Sequence, residues 1–153
     1  MAATALRSTA PAVKTAASAT ELFVGQTLRG RSGTYSLTKQ LHPFVWKARN
    51  DLNENVIVKS RRHWTLQHER DITKYFQKRT PTLRPLIDEV VTPNDPPAIV
   101  FRYLETDALT VCHQGRLPRK EVKAIAKTVL EALRTLHARG VVHSGTSFQT
   151  FSP

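Results

Sequence analysis

The sequence predicts an α+β chain, in which antiparallel strands surround one helix and a second, longer helix follows. Three observations carry this expectation. Apolar and polar residues alternate at period two, or run as short apolar blocks, between residues 35 and 59. Apolar residues recur at helical spacing over 64–76 and again over 122–136. Clusters rich in Asn, Asp, Gly and Pro punctuate the intervals.

The elements can be justified in order. Residues 21–41 are strand-like, with Arg29-Gly30-Arg31-Ser32-Gly33 as a loop and Tyr35-Ser36-Leu37-Thr38 as a half-buried strand. His42-Pro43 marks a turn. Val45-Trp46-Lys47-Ala48 and Val56-Ile57-Val58-Lys59 are two further strands, and the Asn- and Asp-rich segment between them predicts an antiparallel hairpin. Trp64, His68, Ile72 and Tyr75 or Phe76 form one helical stripe that Thr80-Pro81 ends. Leu83 to Val91 is the fourth strand. Thr92-Pro93-Asn94-Asp95-Pro96-Pro97 is a stiff turn, and Ala98 to Leu104 is the fifth strand. Pro118 suits a helix start, Val122, Ile125, Val129, Leu133 and Leu136 repeat at three and four, and Gly140 closes the helix.

Composition bounds the function classes. The 153 residues include 23 Lys plus Arg against 12 Asp plus Glu, a formal charge of +11. A basic excess of this size suits phosphate-rich or acidic partners, but no recognised nucleic-acid-binding motif accompanies it, so nucleic acid is not the expected partner. No run approaches the roughly 20 apolar residues that cross a bilayer. The single cysteine, Cys112, excludes an intramolecular disulfide and a zinc site built on paired cysteines. Residues 1–20, rich in Ala, Ser and Thr, predict a flexible tail, with mitochondrial targeting as the alternative. The expected location is intracellular, in cytoplasm or nucleus.

Four segments in order carry a resemblance. Val45-Trp46-Lys47-Ala48-Arg49, Val56-Ile57-Val58-Lys59 with Glu69 in the following helix, Pro97 to Glu105, and the stretch from Leu130 to His143 resemble successive parts of protein kinases, in the style of divergent kinase-like proteins of fungi. The resemblance implies a kinase-like small lobe to the hinge over residues 21–106, a five-stranded antiparallel sheet with one helix. It also implies the first helices of an incomplete large lobe over 107–143. Residues 144–153 are expected to be a divergent, irregular tail.

The same resemblance implies an ATP site. Lys59 would meet two phosphates and Glu69 would hold its ammonium. Val45 and Ile57 would cover the adenine, and Phe101 would act as gatekeeper. The backbone running from Arg102 through Tyr103 to Leu104 would meet the adenine edge. Three departures from the pattern weigh against retained nucleotide binding, and a fourth, past His143, weighs against catalysis. The turn Leu41-His42-Pro43-Phe44 has no glycine to bring backbone amides to a phosphate. Ile57 replaces a small residue, and Lys59 and Glu69 stand only ten residues apart. After His143, Gly145, Ser147 and Thr150 occupy the positions of the catalytic aspartate, the lysine and the metal-binding asparagine.

The chain is therefore expected to be a truncated, pseudokinase-like fragment. It would bind ATP or a partner at most, with no metal site and no phosphoryl transfer. The Val122, Ile125, Val129 and Leu133 face is the expected docking surface for a protein partner or a second copy. The alternative reading is a basic module that binds nucleic acid or acidic proteins.

Overall fold

A computed structural model describes residues 21–143. The strands are β1 Thr27–Gly30, β2 Thr34–His42, β3 Val45–Asn50, β4 Asn55–Ser60, β5 Leu86–Thr92 and β6 Ala98–Arg102. The helices are α1 Trp64–Phe76 between β4 and β5, then α2 Ala108–Gln114 and α3 Arg119–His137. All sheet neighbours are antiparallel in the order β1-β2-β3-β4-β6-β5, and β5 returns to β1 to close a barrel.

The expected kinase-like small lobe, a five-stranded sheet with one helix, is overturned. Six strands close on themselves, and the described residues carry three helices. The physical cause is β1, a strand of four residues taken in the sequence as part of a loop-broken stretch. Gly30 lies against Asp88, so tightly that a Cβ there would sit 2.1 Å from Asp88 Oδ2. Asp88, only 6% exposed, accepts hydrogen bonds from the Arg31 and Ser32 backbone N–H groups at 3.2 and 2.9 Å and from the Tyr35 hydroxyl at 2.9 Å. One buried carboxylate thus satisfies the turn between β1 and β2 and joins it to β5.

Two apolar clusters divide the sheet by face. Leu28, Tyr35, Leu37, Trp46, Ala48, Val56, Val58, Ala98 and Val100 fill the barrel. Ile57, Leu66, Leu86, Ile99 and Phe101 pack outside it, between sheet and α1, with Val45 and Tyr103 beside them. This explains the unbroken Val56-Ile57-Val58 run: β4 is covered on both sides, so alternation disappears. The expected β3–β4 hairpin is present. Asn50 Oδ1 accepts from the Leu52 and Glu54 N–H groups, and Asn53 takes φ 62°, a backbone conformation that asparagine tolerates.

Helix α1 is rotated from its expected setting. Trp64 is 66% and Tyr75 44% exposed, while Leu66 and Phe76 are buried. Glu69, Arg70 and Thr73, all half-buried, continue the inward face. Arg70 and Lys74 both reach Glu89 of β5, which is buried and also meets Arg31. Strand β6 ends at Arg102, short of the expected Leu104.

Between β6 and α3, inside the span expected to carry the first helices of a large lobe, lies α2. Asp107 caps it, accepting from the Thr110 N–H at 2.8 Å, and these hydrogen bonds hold its carboxyl below the usual range. Ala108, Val111 and Leu117 share a small cavity with Ile125, so α2 partly covers the apolar side of α3. Val122 at 49% and Leu130 at 65% stay exposed, whereas Ala132 and Leu136 are buried. The tail over residues 1–20 and the positions Gly145, Ser147 and Thr150 lie outside the described residues.

Candidate functional site

The antiparallel register and α1 bring five of the seven expected site residues to one place. Val45 pairs with Lys59 across β3 and β4, and Ile57 pairs with Phe101 across β4 and β6. Val56 and Val58 point into the barrel, so Ile57 and Lys59 point out toward α1. There Lys59 Nζ donates to both Glu69 oxygens at 2.8 Å. Both side chains remain more than a third exposed, 38% and 37%, so the pair adds only about 0–1 kcal/mol to stability. Its ammonium stays open to a ligand.

Val45, Ile57, Lys59, Glu69 and Phe101 all line a cavity of about 510 Å³. The cavity lies on the outer face of the barrel. His68, Ile72 and Thr73 of α1 form one wall, Leu83 and Arg84 another, and Leu136 with residues 141–143 the far side. Tyr103 and Leu104 are not brought to it. Tyr103 lies just past β6 with Lys47 Nζ 4.6 Å from its ring centroid. The Arg102 carbonyl, expected to meet a base edge, instead accepts from Arg84 Nε at 2.7 Å, and the Arg102 N–H donates to the Pro85 carbonyl at 3.1 Å.

Arg84 and the residues at the end of α3 are functional candidates that sequence reasoning missed. Desolvation pushes the Arg84 guanidinium below its ordinary value, although it remains a cation at neutral pH. It supplies the cavity with a positive charge besides Lys59. The only available signal was an arginine just before Pro85 and the strand, which by itself is weak. Leu136 was placed in a helical stripe but not in a site. It reaches the cavity because the end of α3 docks on α1, where the Arg139 guanidinium donates to the Tyr75 hydroxyl and lies over its ring.

The chemistry of this arrangement is anion capture beside an apolar wall. Lys59 and Arg84 can face phosphate oxygens, and Val45, Ile57 and Phe101 can cover a flat ring. Among the described residues Glu69 is the one carboxylate lining the cavity, and it is engaged by Lys59. Among the described residues no group of three or more His, Cys, Asp or Glu is placed to hold a metal ion, and no helix is long and apolar enough to cross a membrane. No family model matches the chain, and none of the curated proteins matches it.

Proposed function

We propose that this chain binds a purine nucleoside triphosphate, ATP in the first instance, in the Lys59–Glu69 cavity, and that it does so without transferring phosphate. The observation that carries the reading is the two-oxygen grip of Glu69 on Lys59 Nζ, 2.8 Å to each oxygen, in the lining of a cavity with an apolar wall. Glu69 fixes the ammonium where phosphate oxygens can reach it, and the neighbouring Arg84 adds a second cation. The order of segments resembling protein kinases supports the same lysine and glutamate. A kinase-like origin is proposed for the site, not for the sheet. Transfer is not expected because, in the order of that resemblance, Gly145 and Thr150 stand in the sequence where a kinase carries its catalytic aspartate and metal-binding asparagine.

The test is thermal unfolding of the intact chain with ATP, GTP and tripolyphosphate. ATP is expected to raise the midpoint more than tripolyphosphate does, since the base contributes apolar contact. Lys59→Ala should abolish the ATP-specific part. An equal response to tripolyphosphate, or an unchanged response in Lys59→Ala, would refute nucleotide recognition here. Label transfer from γ-labelled ATP to protein substrates should stay at the level of buffer.

A further inference from the structure

A second cavity, about 790 Å³, lies away from Lys59, where the β2–β3 turn meets the end of β4. The Ser60 N–H donates to the Phe44 carbonyl at 2.9 Å, extending the β3–β4 ladder by one step. This sets Phe44 beside the Arg61-Arg62-His63 segment, and the Arg61 guanidinium lies 4.9 Å from the Phe44 ring centroid. The His42 ring lies 6.3 Å from that of Phe44, tilted against it. The cleft is thus lined by His42, Phe44, Arg61, Arg62 and His63, with Glu21 as the one acid on its wall among the described residues. Arg62 is held by Asp95 at 2.6 Å, whereas no ion pair engages Arg61 among the described residues. Phe44 keeps 41% of its surface exposed, and Leu41 beside it keeps 49%.

A barrel could bury these rings, and a merely solvated basic loop does not need them. An exposed aromatic carrying an arginine over its ring, with an imidazole near it, combines a stacking surface with positive charge. That combination suits bases and phosphates that alternate along one flexible strand. A duplex hides its bases from such a surface, and an acidic peptide uses only the charge. We infer that the cleft between the β2–β3 turn and the Arg61–His63 segment binds single-stranded nucleic acid, with Phe44 stacking a base and Arg61 contacting the adjoining phosphate.

The experiment is fluorescence anisotropy of labelled 12-nucleotide oligo-U and oligo-dT with the intact chain at low and moderate salt. Binding of either strand is expected and should weaken as salt rises. Phe44→Ala and Arg61→Ala should each weaken it about five-fold or more, and Arg61→Lys, which keeps charge but loses the flat stack, should be intermediate. Lys127→Ala on α3, far along the chain and 77% exposed, should change it less than two-fold. If Arg61→Ala does not fold, the exposed Phe44 and the lysine variant still decide. Three results would overturn the inference: no binding by the wild type, equal binding by the Phe44 and Lys127 variants, or displacement by poly-glutamate or duplex as effective as by single strand. Lys59→Ala should leave this binding intact, which keeps it separate from the nucleotide proposal.

Discussion

Tyr35 and Asp88 show how much one buried pair can organise. Burial first, and the Asp88 carboxylate second, push the Tyr35 phenol well above its ordinary value. The folded state therefore holds the phenol neutral. Its contribution is complete below the unfolded value near 10 and declines as pH rises beyond it, because the unfolded chain then releases the proton first. In urea titrations between about pH 9 and pH 11, the wild-type midpoint should fall more steeply than that of Tyr35→Phe. At neutral pH the same variant should lose about 1–2 kcal/mol, since Asp88 keeps its backbone donors but lacks the hydroxyl. A parallel alkaline slope in the two proteins would mean that the hydroxyl is not held as described.

At the scale of elements, β1 depends on its glycine. In Gly30→Ala the new methyl would meet Asp88 Oδ2 and the Tyr35 ring, at 2.1 and 2.8 Å. Both neighbours are buried and hydrogen-bonded to each other, so neither can swing aside without leaving a donor unmet. Destabilisation of about 2–3 kcal/mol is expected, measurable as a lowered urea midpoint, whereas Gly115→Ala, where a Cβ would meet nothing within 4 Å, should be nearly neutral.

The same strand explains why the sheet was misread while other elements were legible. The β3–β4 hairpin and α3 declare themselves locally, through Asn50 to Asn55 and through a repeat of three and four. In β1 only Leu28 is a buried large residue, and its partner β5 lies far along the chain, so no local pattern betrays the closure. Helix α1 misled differently. The inward positions are Leu66, Glu69, Arg70, Thr73 and Phe76, and periodicity weighted by apolar size chose the exposed Trp64 instead. Lys59 and Glu69 could be matched in the sequence because a strand and the next helix hold them. The walls supplied by Arg84 and the end of α3 could not, because they come from segments that converge only in the folded chain.

For the molecule as a whole, the charge of +11 is not neutralised by its ion pairs. Mutual repulsion among like charges destabilises the compact state, and salt screens it over roughly 10 Å at 0.1 M. Raising sodium chloride from about 0.05 to 0.3 M should therefore increase the urea midpoint, despite weakening exposed pairs such as Arg62–Asp95. A midpoint that falls with salt would show that those pairs matter more than the excess.

The return of β5 to β1 has a further consequence for behaviour at high concentration. An open sheet offers unpaired N–H and C=O groups along two outer strands, and another chain can add to either. Here each of those strands has the other for a partner where Arg29 meets Thr92 and Gly30 meets Val90, so among the described residues that part of the margin is withheld from a neighbour. The protection is conditional on the Gly30–Asp88 contact. Loosening it should uncover both margins at once, and Gly30→Ala should form thioflavin-positive aggregates under mild heating that leaves the wild type clear.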